Sequence, residues 1–270
     1  MNGKPIGIFD SGLGGLTAVK ELKRVLPHED IIYFGDTGRV PYGNRSRETI
    51  VKYAMQDSAF LRTFGVKMLI AACGTVSSVA TDVGKNLSIP FTGVVAPTCR
   101  AAARATKTGT IGVIGTTATI RSGAYRRELT RIDGGLRVLE QDCPLFVPLV
   151  ENGFISSGDP ITRLVVERYL LPLREAGVDA LILGCTHYPI LSEVIASVMG
   201  SGVALIDSGR ETALCAADTL ARCGLLNERE EPGGCSFFVS DRPEDFCRIA
   251  ALFLGENVDR GVEQIDIEEY

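Results

Sequence analysis

The chain has no tryptophan and only two histidines among its 270 residues. None of its eight cysteines stands at C-x-x-C spacing, which excludes the usual pattern of a structural zinc site. No apolar run approaches the length of about 18 residues that a membrane span needs. No leader-like stretch is read at the start, because MNGKP runs straight into a strand pattern; a cytoplasmic setting with reduced thiols is the expectation. Positive charge is the scarcer sign, with 28 Lys and Arg against 33 Asp and Glu. The net charge of −5 argues against a broad nucleic-acid surface, though not against a local anion site. The rest is ordinary for a globular protein: 45% hydrophobic and 23% charged residues, in a chain long enough to bury one or two cores.

The most informative stretch is 180–189, ALILGCTHYP. Its first four residues read as a buried strand, Gly184 breaks it, and Pro189 can open a helix. Cys185, Thr186 and His187 therefore sit where a strand hands over to a helix. In open α/β sheets ligands bind at that edge. The stretch has an echo at 66–73, VKMLIAAC, followed by Gly74 and Thr75, and Cys73 precedes Cys185 by 112 residues. A second echo pairs IGIFDS at 6–11 with IGVIGT at 111–116, an offset of 105. Two motifs repeated in the same order at nearly one offset imply two similar halves.

Strand and helix patterns alternate throughout, which predicts an α/β protein with mainly parallel sheets flanked by helices. The halves are expected to be related by pseudo-twofold symmetry, with the active site in the cleft between them. Residues 1–96 plus 208–270 form one expected domain and 97–207 the other. The tail IDIEEY is expected to fray.

Several positions admit a plain and a chemical reading. Gly12, Gly14 and Gly15 could cradle a phosphate, but Thr17 stands where G-x-G-x-x-G needs its third glycine. Asp36 occupies the place of a ribose-binding acid. Asp10 is either a helix cap or a site acid. The loop 35–46 carries Pro41, Tyr42 and Gly43, which make either a plain turn or a binding group. Thr116, Thr117 and Thr119 either bind a carboxylate or cap the helix expected from Arg121. Glu151, beside Gly153 in an expected loop, is a surface acid or a site acid. The helix over 160–176 is expected to kink at Pro172.

If Cys73 and Cys185 face one cleft, a helix N-terminus would favour each thiolate. One thiolate and one thiol across a substrate can remove a proton from one face of a carbon and return one to the other. That reaction is a racemisation or epimerisation. Asp10 could assist Cys73, and His187 could assist Cys185.

The motifs IGIFDSGLGGLT, GDTGRVPYG, AACGTVSSVA, GVIGTTATIRS, PLVE and LILGCTHYPIL follow one another over residues 1–226. In that order they resemble the glutamate racemases, of the cofactor-independent aspartate/glutamate racemase family. The resemblance implies Cys73 as the base for D-glutamate and Cys185 as the base for L-glutamate. It implies Asp10, His187 and Glu151 as supporting acids and bases. It places Asp10, Ser11, Tyr42, Gly43, Gly74, Thr75, Thr117, Thr186 and His187 at the substrate. It implies a small-molecule substrate, no metal, no pyridoxal phosphate or other cofactor, and a role in supplying D-glutamate for the cell wall. A homodimer is compatible with it. One position departs: the family usually has asparagine after its first catalytic cysteine, where this chain has Gly74, so the choice of acidic substrate is open at that contact. The competing readings are a racemase of another acidic amino acid such as aspartate, a cysteine hydrolase using Cys185 and His187, and a dinucleotide-binding module.

Overall fold

The computed structural model describes residues 2–80, 82–85, 87–258 and 261–270. The chain first lays down β1 (Ile6–Asp10), α1 (Leu16–Val25), β2 (Ile31–Gly35), α2 (Arg47–Thr63), β3 (Met68–Ala71), α3 (Gly74–Val79) and β4 (Phe91–Gly93). It continues with α4 (Val95–Ala105), β5 (Thr110–Gly115), α5 (Thr117–Ser122), α6 (Ala124–Ile132), β6 (Arg137–Asp142), α7 (Phe146–Glu151), α8 (Pro160–Glu175), β7 (Ala180–Leu183), α9 (Ser192–Met199) and β8 (Ala204–Asp207). It ends with α10 (Ser208–Arg222), β9 (Cys235–Val239), α11 (Pro243–Leu254) and β10 (Val262–Gln264). Apolar strands such as IGIFD and ALIL are buried along their whole length, which requires helices on both faces and crossovers between parallel neighbours.

Two sheets result. One runs β10-β9-β2-β1-β3-β4 and the other β6-β5-β7-β8, with every pairing among the described residues parallel. The order β2-β1-β3-β4 is the order β6-β5-β7-β8, strand for strand. The register repeats too: Ile6 pairs with Met68 in the first sheet, and Ile111 with Ala180 in the second. These partners are offset by the same 105 and 112 residues as the sequence echoes. Gly7 and Gly112 are equivalent down to their neighbours. Leu69 and Val66 fill the space beside the first, and Leu181 and Val178 fill it beside the second.

One apolar cluster binds the halves together, taking Ile8 and Leu16 from the first and Ile114, Leu183 and Cys185 from the second. Helix α10 follows β8, at the end of the second sheet, yet packs on α1 and α4. Its start is fixed by Asp207, whose carboxylate accepts from the N–H groups of Gly209 (2.7 Å) and Arg210 (3.2 Å). Glycines make other boundaries. Gly123, at φ +63°, ends α5 and turns the chain into α6, so the single helix expected from Arg121 is two.

Helix α8 runs through Pro172 to Glu175, with the expected extent. Two local expectations change. Glu151 is the last residue of α7 rather than part of a loop. The tail is not frayed: β10 adds to the sheet edge beside β9, Ile267 is buried, and the Tyr270 ring packs edge-on against Phe60.

Candidate active site

The carboxyl ends of β1, β3, β5 and β7 converge on one cleft of about 310 Å³. Cys73 follows β3 and caps α3, receiving the Val76 N–H at 3.5 Å. Cys185 follows β7 at the equivalent place. Both thiols line the cleft, and both residues are buried, at 4% and 7% exposure.

The two halves touch because glycines let them. A Cβ on Gly74 would lie 2.2 Å from the Gly184 carbonyl oxygen. A Cβ on Gly14 would lie 2.1 Å from Thr186 Oγ1 and 2.6 Å from His187 Nδ1. Thr17 then ties the contact, its hydroxyl lying 2.9 Å from the Gly14 carbonyl and 3.1 Å from that of Thr186. The glycine cluster therefore accommodates the other half, and no phosphate cradle remains at Gly14. Asp36 is equally unavailable to a ribose, because Arg39, Tyr42 and Ser240 already hold its carboxylate.

On the Cys73 side, the thiol donates to Ser11 Oγ at 3.4 Å. Burial first, and then the charge of Asp10, push its pKa up to about 12, against the opposing bonds from Ser11 and the Val76 N–H. The expected lowering by the helix N-terminus is thus overturned by desolvation. Asp10 does not cap α1, which begins at Leu16. Its Oδ2 accepts from the Gly12 N–H at 3.0 Å, and its buried Oδ1 has no hydrogen-bond partner among the described residues. Burial raises its pKa above the ordinary carboxylate value, opposed by the charge of His187 and by backbone N–H groups.

On the Cys185 side, His187 Nδ1 stands 3.9 Å from Cys185 Sγ, and Nε2 is 2.9 Å from Glu151 Oε1. Burial alone would depress the imidazolium. Its bonds to Cys185 and Glu151 and their negative charges outweigh that and lift it to about 10. Phe253 of α11 packs edge-on against the ring at 5.2 Å. Glu151 is half-open to solvent, with 42% of its side chain exposed.

The other sequence candidates divide. Ser11, Tyr42, Gly43, Gly74, Thr75, Thr117 and Thr186 all line the cleft. Tyr42 presents its ring while its hydroxyl is committed to Asp36, with Asp57 at 3.3 Å. Thr117 donates to Asp142 at 2.9 Å, so its hydroxyl is occupied elsewhere. The threonine that faces its counterpart is Thr116, whose Oγ1 is 3.1 Å from that of Thr75 across the cleft. Both threonines of this turn line the cleft, and they differ in what their hydroxyls already hold. Sequence reasoning missed Asn44, Val147 and Pro148, which line the cleft without any chemical signature in the sequence. Among the described residues no group of three or more His, Cys, Asp or Glu is arranged to hold a metal.

Comparison with known proteins bears on what this cleft is for. A family model described as Asp/Glu/Hydantoin racemase matches residues 17–216. The chain belongs to this racemase family. A glutamate racemase of Geobacter metallireducens is 47% identical over 266 residues, covering 98% of this chain and 97% of that protein. Among solved structures, the glutamate racemase of Francisella tularensis in complex with D-glutamate superposes with a TM-score of 0.92 at 39% identity, with 100% of both chains covered. That of Thermus thermophilus in complex with beta-chloro-D-alanine gives 0.89 at 44% identity, covering 100% of this chain and 99% of the other. Racemase membership supports neither the hydrolase nor the dinucleotide reading. Among the described residues no helix is long and apolar enough to cross a membrane.

Proposed function

We propose that this chain is a glutamate racemase working by two-thiol proton transfer, with Cys73 and Cys185 on opposite faces of the substrate α-carbon. The single observation that carries the mechanism is that the two cysteines end equivalent strands of two equivalent sheets and line one cleft. In the L-to-D direction, Cys185 takes the α-proton as a thiolate, leaving a carbanion beside the carboxylate. The Cys73 thiol delivers its proton to the opposite face. One C–H bond breaks and another forms, and the proton lost from Cys73 is balanced by the one gained at Cys185. The raised pKa of Cys73 suits this donor role, because the buried thiol rests protonated. In reverse the roles exchange.

His187, held by Glu151, serves Cys185 as a proton partner. Asp10, whose free Oδ1 is buried, serves Cys73 or the substrate ammonium. Ser11, Thr75, Thr116 and Thr186, with the backbone around Gly43 and Gly74, supply hydrogen bonds to the two carboxylates. The Tyr42 ring forms part of the wall. Residues 1–96 plus 208–270 and residues 97–207 are the two domains of the proposal. The setting is cytoplasmic, where the product would feed cell-wall synthesis. Ile161, Leu164 and Leu171 are exposed on one side of α8 and would suit a homodimer contact.

The deciding experiment is proton NMR of L-glutamate with the purified protein in D₂O, without added cofactor, beside L-aspartate. Loss of the α-proton signal together with D-glutamate formation is the expected result. Exchange of aspartate alone would keep the mechanism and move the substrate, a shift that the missing side chain at Gly74 makes worth testing. No exchange with either, from folded and reduced protein, would overturn the proposal.

A further inference from the structure

Beside the cleft lies a larger cavity of about 630 Å³, bounded by Arg45, Arg47, Arg121 and Arg127. No aspartate or glutamate among the described residues lines it. Among the described residues, the Arg45 and Arg121 side chains make no hydrogen bond or ion pair. Arg47 has only a long pair with Asp82 at 3.7 Å, and Arg127 donates to the Ser122 carbonyl. Guanidinium groups such as those of Arg45 and Arg121, which have no ionic partner among the described residues, are donors that an anion in the cavity would engage.

The cavity adjoins the cleft, for Gly43, Asn44 and Thr117 line both. Among the described residues the cleft has no lysine or arginine on its wall, and its charged groups are Glu151 and His187. An acidic amino acid, net negative at neutral pH, must therefore enter a protein of net charge −5 and a cleft with an acid at its edge. The four arginines supply the local positive potential that the cleft lacks.

We propose that this cavity is an electrostatic vestibule that captures the carboxylates of an acidic amino acid and passes it into the cleft past Gly43 and Thr117. The inference rests on the racemase reading above and adds the site where substrate is first held. Attraction of this kind raises local substrate concentration and fades as salt screens it within a Debye length of about 8 Å at 0.15 M.

The test is steady-state racemisation of L-glutamate at 20 and about 300 mM NaCl by wild type, R45Q/R121Q, R45K/R121K and a charge-matched control, R222Q/R248Q. The last pair lies on exposed turns of α10 and α11, outside the cavity. R45Q/R121Q is expected to raise KM about 3- to 10-fold at low salt with kcat kept, and the gap to wild type should close at high salt. R45K/R121K should restore KM, which a purely structural role for the guanidinium groups would not allow. Equal KM and equal salt dependence in wild type and R45Q/R121Q would overturn the vestibule and leave the racemase reading intact. So would an equal shift in the control, because net charge alone would then explain it. A folded wild type that turns over no acidic amino acid would overturn both, and the two failures are thereby distinct.

Discussion

Cys73 and Cys185 occupy matching strand ends in two sheets of the same order, yet they meet different company. Cys73 faces a hydroxyl, an N–H and a buried acid with an unpartnered oxygen. Cys185 faces an imidazole tied to a half-exposed glutamate. Duplicated topology thus gives near-mirror placement of two thiols, as a substrate and its enantiomer demand. The proton partners are not duplicated. One side is governed by desolvation, the other by an ion pair open to solvent, so the two thiols should respond differently to mutation and to pH.

The largest effect should come from removing either thiol. Cys73→Ser and Cys185→Ser are each expected to lower kcat for racemisation by about 10³-fold or more, since a poised proton carrier is worth about 10²–10⁴. Circular dichroism of the glutamate product gives the rate. A variant of either that kept more than a tenth of wild-type kcat would break the two-thiol comparison.

Next comes His187. Removal of its imidazole in His187→Gln should cost about 10²-fold in kcat. Because the two enantiomers are equally stable, kcat/KM must fall equally in both directions. The asymmetry between the sides can appear only in kcat and KM taken separately, with the larger kcat loss in the L-to-D direction. The pH dependence sharpens the point. His187 is raised in the folded protein to about 10, so its stabilising contribution is complete below the unfolded value near 6.5 and is lost as pH rises through about 10. Glu151→Gln removes one of the groups that raise it, so the alkaline loss of Tm should begin at lower pH. NMR titration of the His187 ring in the two proteins measures the shift directly, and an unchanged midpoint would remove Glu151 from the network.

The frame of this site was legible in the sequence, and the reason is physical. Strand ends are announced by apolar runs that stop at Gly or Cys. Offsets of 105 and 112 residues survive as pairing register because homologous strands pair homologously. The side chains between the strands were less legible. Thr116 and Thr117 are adjacent, and only the three-dimensional turn decides which hydroxyl meets Thr75 and which meets Asp142. The raised pKa of Cys73 depends on burial by distant elements, which local spacing does not report. Nor does spacing reveal that Gly14 is small to admit Thr186 and His187 from the other half.

Gly74 is the next smaller test, and it separates a chemical from a steric account. Read chemically, a side chain here should gain a bond to substrate. Read sterically, it must displace the Gly184 carbonyl from a contact the two halves share. Gly74→Ala adds no polar group, so it isolates the steric term. It is expected to cost about 1–3 kcal/mol of stability, as overpacking usually does, and to raise KM by loosening the cleft. Gly74→Asn should show the same loss of stability. A Gly74→Asn protein with unchanged Tm and lower KM would mean that the halves separate easily at this contact, and that the closed approach of Gly74 to Gly184 is not a fixed part of the site.

The smallest effect is expected farthest from the thiols, and it tests how the wall of the cleft on the Cys73 side is held. Tyr42 is anchored by Asp36 and Asp57, and both of these carboxylates are bridged by Arg39. Arg39 is in turn reached from the ordered tail by Glu268 at 3.2 Å, which also pairs with Lys52 at 3.4 Å. The inner pairs are buried, while Glu268 has 56% of its side chain exposed. Exposed pairs contribute about 0–1 kcal/mol, whereas breaking a buried pair costs about 3–5 kcal/mol. Glu268→Gln should therefore lower Tm by no more than a degree or two and leave kcat within about twofold. Arg39→Gln should destabilise the protein severalfold more in free energy and raise KM through Tyr42. If the two substitutions proved equal, the tail would be as much a part of the substrate wall as the buried network, and the boundary between the ordered tail and the active site would lie farther out than burial implies.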